Sequence, residues 1–241
     1  MIYLCLLLAF LSSSAGALCL LATKRFSEKV MSVLYGSAAG IMMAACFFSL
    51  LVPALHSKDP LVILAFIFGI IFIFAIDHLL PHESAMTHEV EGLPAKIPSY
   101  TRLILTMAMH NMVQGLALGI SFAASDSAAV LMLGVGLILG NLPEGAATAL
   151  PLLQYFSSSK SAFLTAEALS FLEIPLCFIG CFFSAQLSLL LHPLFGFAAA
   201  ILLYTVIEEM IPDAWAQHNR ALSTLALFAG FSLMMAFYIC F

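Results

Sequence analysis

Gly140-Asn141-Leu142-Pro143-Glu144-Gly145 lies inside an otherwise apolar run, and the related His110-Asn111-Met112-Val113-Gln114-Gly115 lies inside the run before it. An ionisable or metal-ligating side chain within a membrane segment is costly, so its default reading is a function and not a packing accident. At about 100° per residue, His110 and Gln114 share one helix face with Asn111 beside them, and Asn141 and Glu144 project together from the other segment. The two segments read as facing helices around a polar site. Pro143 has no N–H to donate and pushes away the Leu139 carbonyl, so the second helix is expected to be broken beside its carboxylate. Freed carbonyls at membrane depth persist only against protein or a wet cavity. That is the discontinuous-helix design of transporter sites.

The surrounding chain has the composition such helices need. It is 63% hydrophobic and 9% charged, with mean hydropathy +1.11, whereas a soluble domain carries roughly 25% charged residues. Apolar runs fall at about 1–22, 30–55, 60–81, 99–123, 128–154, 161–184, 187–210 and 221–241, each near the ~20 residues that cross a bilayer. The predicted class is an all-α membrane protein of eight transmembrane helices forming one domain. Its formal net charge of −5 includes carboxylates within the runs, and nothing resembles a nucleic-acid footprint.

Orientation follows from the basic residues. Lys24, Arg25, Lys29, Lys96, Arg102, Lys160 and Arg220 all fall on one side of the predicted topology, and only Lys58 on the other. The positive-inside rule puts the first set in the cytoplasm and both termini outside. Ala15-Gly16-Ala17 imitates a signal-peptidase site, but the basic cluster follows the first run and no positive segment precedes it. The run is therefore expected to be retained as a helix. Six cysteines fall in predicted spans without a disulfide framework. Cys177 and Cys181 share a helix face and read as packing residues. Gly36/Gly40, Gly115/Gly119 and Gly136/Gly140 read as small-residue contacts between helices.

Further polar residues interrupt the spans. Glu173, followed by Ile174-Pro175, would join Glu144 in neutralising a divalent ion, and Glu167 lies earlier in the same span. Glu208 and Glu209, ahead of Ile211-Pro212-Asp213, and Asp77 and His78, ahead of Leu79-Leu80-Pro81, are candidate pathway or gate residues near the cytoplasmic side. The loop 82–98 offers His82, Glu83, His88, Glu89 and Glu91 for weak divalent-ion binding, with a solvated charged loop as the plainer alternative.

Taken together, these strings resemble the ZIP (Zrt-, Irt-like protein) metal transporters, in the GufA-like branch. His110-Asn111 with Gly115 is similar to the family's span-four motif, and Asn141-Leu142-Pro143-Glu144-Gly145 to its span-five partner. Ser49-Leu50-Leu51-Val52-Pro53-Ala54, Asp77-His78-Leu79-Leu80-Pro81-His82, Glu173-Ile174-Pro175 and Glu209-Met210-Ile211-Pro212 resemble the signatures of spans two, three, six and seven. The resemblance implies a 3+2+3 helix bundle with inverted symmetry that imports a divalent transition metal into the cytoplasm. The substrate would be zinc first, with cadmium, iron(II) and manganese(II) in the same class. It implies ligands at His110, Asn111, Gln114, Asn141, Glu144 and Glu173, no catalytic residue and no cofactor. The expected partners are divalent ions and the lipid bilayer; a homodimer is left open. A bacterial inner membrane suits the short loops.

The chain departs from the family pattern where Val113-Gln114 replaces Pro-Glu and where Gly140 replaces a ligand-bearing residue. Two divalent ions would bring +4 against −2 from Glu144 and Glu173, an imbalance heavily penalised in a low-dielectric site. One ion is expected. Two other functions compete: a degenerate, non-transporting metal sensor, and an intramembrane metallohydrolase. The second is weak, because His110 is the one histidine deep in a span and hydrolysis needs about three fixed ligands.

Overall fold

No backbone polar group can be left bare in hydrocarbon, so a chain this apolar folds into helices that satisfy their own. The computed structural model describes residues 2–22, 27–122, 127–216 and 219–240. Lys24 and Arg25, used in the orientation argument, lie outside the described residues. The helices are α1 (Ile2–Ala22), α2 (Glu28–His56), α3 (Leu61–Leu79), α4 (Ser99–Phe122), α5 (Ser127–Leu152), α6 (Ser159–Ser170), α7 (Glu173–Gln186), α8 (Ser188–Trp215) and α9 (Arg220–Cys240). Among the described residues, 7 helices are long and apolar enough to cross a membrane, with α6–α7 counted together; α1 is a further apolar helix.

The expected break at Pro143 is absent. The α-helix runs through both Pro143 and Pro151. Neighbouring helices can support freed backbone groups in a bilayer, and α1 packs closely along this stretch. Ser12 Oγ donates to the Ile138 carbonyl at 2.5 Å, and Gly16 and Gly145 let the two backbones lie against each other.

The interruption falls instead in the sixth predicted span, expected as one helix over 161–184. Pro175 cannot donate to Phe171, whose carbonyl takes the Ile174 N–H at 3.1 Å, while Leu172 N–H reaches only to Leu169. The chain turns there and resumes at Glu173, which becomes the first residue of α7.

Two more prolines leave local π-turns, at Phe47–Leu51 in α2 and Val206–Met210 in α8. Val52 N–H reaches back to Phe47 O, and Ile211 N–H to Val206 O, each one residue beyond the α-helical partner. Pro53 and Pro212 follow, so the missing N–H of each explains the widened turn.

The helices pack in two groups. In one, α2 lies against α9 and α3 against α8; in the other, α1 lies against α5 and α4 against α7. The groups meet chiefly along α2 with α5 and α4 with α8. Gly115 and Gly119 let α4 and α7 touch backbone to backbone: an added Cβ would overlap the Glu173 and Cys177 carbonyl oxygens. Such close approach is how apolar helices associate without a hydrophobic drive between them. Leu50, Leu118, Leu133, Ile201 and Leu202 fill the shared core.

The segment 82–98, expected as an open loop, contains an antiparallel hairpin pairing His82 with Glu91 and Glu83 with Val90. Ala85 of its connecting turn is buried and packs with Leu103, Ala149 and Leu152. Charged residues can fold inward here because they find partners. Glu83 takes Arg102 at 3.0 Å, and its carbonyl accepts the Thr106 hydroxyl.

Candidate metal centre

α4 and α5 bring the two motifs face to face. His110, Asn111, Gln114, Asn141 and Glu173 are all buried. His110 Nε2 lies 3.3 Å from Glu144 Oε1. Gln114 Nε2 donates to the other Glu144 oxygen at 2.9 Å. Asn141 Nδ2, three residues before Glu144 on α5, donates to Glu173 Oε1 at 2.8 Å. The break before α7 starts that helix at Glu173, beside Asn141. Asn111 turns away and donates to the Met107 carbonyl of its own helix at 2.7 Å.

The donors left over suit a cation. Gln114 Oε1 and Asn141 Oδ1 are buried with no hydrogen-bond partner, and His110 Nε2 faces a Glu144 oxygen. Each orphaned group in a dry interior costs about 1–3 kcal/mol. Carbonyl oxygens and an imidazole nitrogen beside two carboxylates form a mixed N/O donor set of the kind that binds divalent first-row ions.

Position 140 offers nothing to a second ion. A Cβ built on Gly140 would meet Met42 Sδ at 3.0 Å and Cγ at 3.3 Å. The fully buried Met42 from α2 lies against this position, so a side chain there would have to shift it.

The π-turn in α8 separates the two glutamates that the sequence paired as a gate. Glu209 faces the site, 3.8 Å from His110 Nδ1, while Glu208 is exposed on the outer face with Phe66, Ile70 and Tyr204. The imidazole thus lies between Glu144 and Glu209. A narrow cavity of about 30 Å³ joins His110, Glu144 and Glu209 to Tyr35, Thr106, Thr148 and Asp213. It leads from the site toward the helix ends that carry the hairpin.

Tyr35 was not singled out in the sequence, and Asp213 was named there only in the string that carries Glu208 and Glu209. Tyr35 has no motif, and its hydroxyl donates to the Ala147 carbonyl at 2.9 Å. Asp213 follows Pro212, and that carboxylate beside a proline was the available signal. Its Oδ1 accepts from Ser84 Oγ at 2.6 Å and Met86 N at 3.1 Å, tying the hairpin to α8. Asp213→Ala is expected to cost about 1–3 kcal/mol, as loss of a charged acceptor leaves a buried N–H bare. Thermal unfolding should register the loss, and faster amide exchange at Ser84–Thr87 should localise it. Unchanged exchange there would count against this role.

The other predicted residues divide into two sets. Asp77 Oδ1 lies 3.2 Å from His82 Nε2, which is 3.8 Å from Glu91 Oε2. Among the described residues, only this trio of His, Cys, Asp or Glu brings three ligand atoms within 4.8 Å of one another. Burial works against a charge on His82, but the Asp77 carboxylate and Leu80 carbonyl outweigh it and lift the imidazole to about 9. At neutral pH an ion would therefore have to displace a proton from it. His78 is exposed, 3.9 Å from Asp77. Glu83 is held by Arg102, with His88 at 3.4 Å, and Glu89 is exposed and joins neither set. Glu167, in α6, accepts from Ser14 Oγ of α1 at 2.5 Å, away from Glu144.

Known proteins resemble the chain along most of its length. The family model of the ZIP zinc transporters matches residues 85–237. The zinc transporter ZIPB of Bordetella bronchiseptica is 30% identical over 236 residues, covering 94% of this chain and 76% of that protein. The zinc transporter GufA of Myxococcus xanthus is 30% identical over 240 residues, covering 95% of this chain and 94% of that protein. The zinc transporter ZupT of Streptococcus mutans is 28% identical over 246 residues, covering 94% and 92%.

Proposed function

Because the chain belongs to the ZIP zinc transporter family, we propose that it carries divalent transition-metal ions, zinc first, into the cytoplasm through the site between α4 and α5. It is a multi-pass integral membrane protein of the bacterial inner-membrane type that its relatives represent. The observation that carries the proposal is the pair of carboxylates, half-buried Glu144 and buried Glu173, each held by an amide whose carbonyl oxygen has no partner. A buried arrangement with unfilled acceptors at membrane depth is expensive unless an ion visits it.

Direction is supported by the cavity. It opens from His110 and Glu144 toward Asp213 and the hairpin, the end where Lys29, Lys96, Arg102, Lys160 and Arg220 lie in sequence. The positive-inside rule makes that end cytoplasmic, and α1 then serves as an eighth span with its N-terminus outside. The 3+2+3 inverted repeat is supported by the matching π-turns of α2 and α8 and by the way the pairs α1–α5 and α7–α4, or α2–α9 and α8–α3, exchange. Such repeats underlie alternating access, with the two helix groups moving against each other.

One ion per site is supported by Met42 over Gly140 and by the neutral Gln114. Gln114→Glu should raise zinc affinity or create a second position, read as stoichiometry by titration calorimetry. Unchanged stoichiometry and affinity would count against the charge argument. The transport reading itself is tested by zinc uptake into proteoliposomes with Glu144→Ala beside the wild type. Flux that is absent from folded protein, or indifferent to that substitution, sinks it.

A further inference from the structure

We infer that Cys177 and Cys181 on α7 form a separate binding site for a thiophilic cation, with mercury(II) as its divalent representative, and that an ion held there inhibits transport by disturbing Glu173. The binding stands on the thiols alone; the inhibition rests on the transport reading above. Glu173, Cys177 and Cys181 follow one another at intervals of four, so they climb one side of α7 away from the carboxylate. Spacing alone makes the two cysteines packing residues. The structure adds that both are free thiols and that they hydrogen-bond to each other, with Glu173 and Cys5 of α1 within electrostatic reach of Cys177. Cys177 is fully buried, whereas Cys181 is half-buried near the end of α7 at Gln186. An arriving ion therefore meets Cys181 first.

The residues between α4 and α5 offer oxygen and nitrogen, whereas thiolates select soft ions. Such ions accept two sulfurs in line. Cβ atoms four residues apart on a helix are about 5–6 Å from each other, so the two sulfurs bracket an ion once their mutual contact opens slightly. Each thiol releases its proton to water as its sulfur–metal bond forms, and no electron changes hands. Two thiolates and a divalent ion are together neutral, which suits an apolar helix seam where an unpaired charge is costly. α7 has little slack with which to absorb the ion. The carbonyl oxygens of Glu173 and Cys177 are pressed against Gly115 and Gly119 of α4. Displacement at Cys177 therefore passes to Glu173, one turn away, and to its 2.8 Å bond with Asn141.

The test loads full-length protein in detergent with mercury(II) and dialyses it against excess glutathione, which strips ions held by single thiols such as the exposed Cys240. The wild type is expected to retain one mercury per chain, with sulfur-to-metal absorption in the ultraviolet. Cys177→Ser and Cys181→Ser should each retain less by about tenfold or more, because a single thiol forfeits the effective concentration of the pair. Cys240→Ser should retain as much as the wild type. Where Cys177→Ser does not fold, the half-buried Cys181 decides the matter. In proteoliposomes, one equivalent of mercury(II) should lower zinc uptake by the wild type about tenfold, and that by Cys181→Ser less than about twofold, since an error of about 1 Å in the position of Glu173 is poorly tolerated. Retention that neither serine variant lowers overturns the site. Retention with undiminished uptake, or inhibition that persists in Cys181→Ser, overturns its link to Glu173. A mercury-free protein that carries no zinc removes the transport reading and leaves the binding result standing.

Discussion

Glu144→Gln is expected to abolish metal uptake while the protein stays folded. Glu144 is the meeting point of the site: one oxygen lies 3.3 Å from His110 Nε2, and the other accepts from Gln114 at 2.9 Å. Glutamine keeps the volume and can still accept from Gln114 through its carbonyl oxygen, so the helix contacts survive. What it removes is charge. A unit charge about 4 Å from another, at the effective dielectric of a protein site, is worth about 4 kcal/mol, and a divalent ion feels about twice that. A loss of about three orders of magnitude in affinity is therefore a conservative expectation. Folding should be unharmed or improved, because a buried carboxylate without its ion is a liability. Uptake in proteoliposomes, titration calorimetry and a thermal melt read the three quantities together. Near-normal uptake by a folded Glu144→Gln protein would remove this residue from the site.

Gly115→Leu is expected to cost both stability and transport. A Cβ at position 115 would overlap the Glu173 carbonyl oxygen and lie 2.7 Å from the Glu173 Cα. Both are backbone atoms, so no side chain can rotate aside. α4 and α7 must separate, and Glu173 moves with its helix away from Asn141, with which it shares a 2.8 Å bond. Overpacking of this kind costs about 3 kcal/mol, toward the upper end of its usual range. Zinc uptake should fall at least as sharply, on the order of tenfold, because an error of about 1 Å in ligand position is poorly tolerated. Met112→Leu is the control: Met112 lies one turn away on the exposed side of the same helix, and both readouts should be unchanged. A Gly115→Leu protein with normal melting and normal uptake would show that the α4–α7 contact does not position Glu173.

Much of the centre was legible before any coordinates. His110, Gln114, Asn141, Glu144 and Glu173 stand out because each is a polar side chain in an apolar run, where composition alone makes the residue conspicuous. Their helical spacing placed them on shared faces, and the structure brings them within hydrogen-bonding reach. Tyr35 was invisible for the opposite reason. A tyrosine among apolar residues breaks no local rule, and its place in the cavity wall depends on α2 crossing α5.

The prolines show the boundary most clearly. Pro143 and Pro175 look alike in sequence, each beside a glutamate in an apolar run. The helix passes through the first and turns at the second. A proline removes one N–H in both cases, and each site has a neighbouring backbone packed closely against it, so which of the two interrupts its helix is not written in the local sequence. Glu208 and Glu209 make the same point: neighbouring helical residues point about 100° apart, and the packing of α8 leaves Glu208 exposed and puts Glu209 beside His110. By itself the sequence determined the helical membrane class and the chemistry of the donors, because these follow from composition and local periodicity, and its motif strings carried the resemblance to the family. The tertiary structure alone decided which helix is interrupted, which glutamate faces His110 and what lies against Gly140, because each depends on a neighbour far away in the chain.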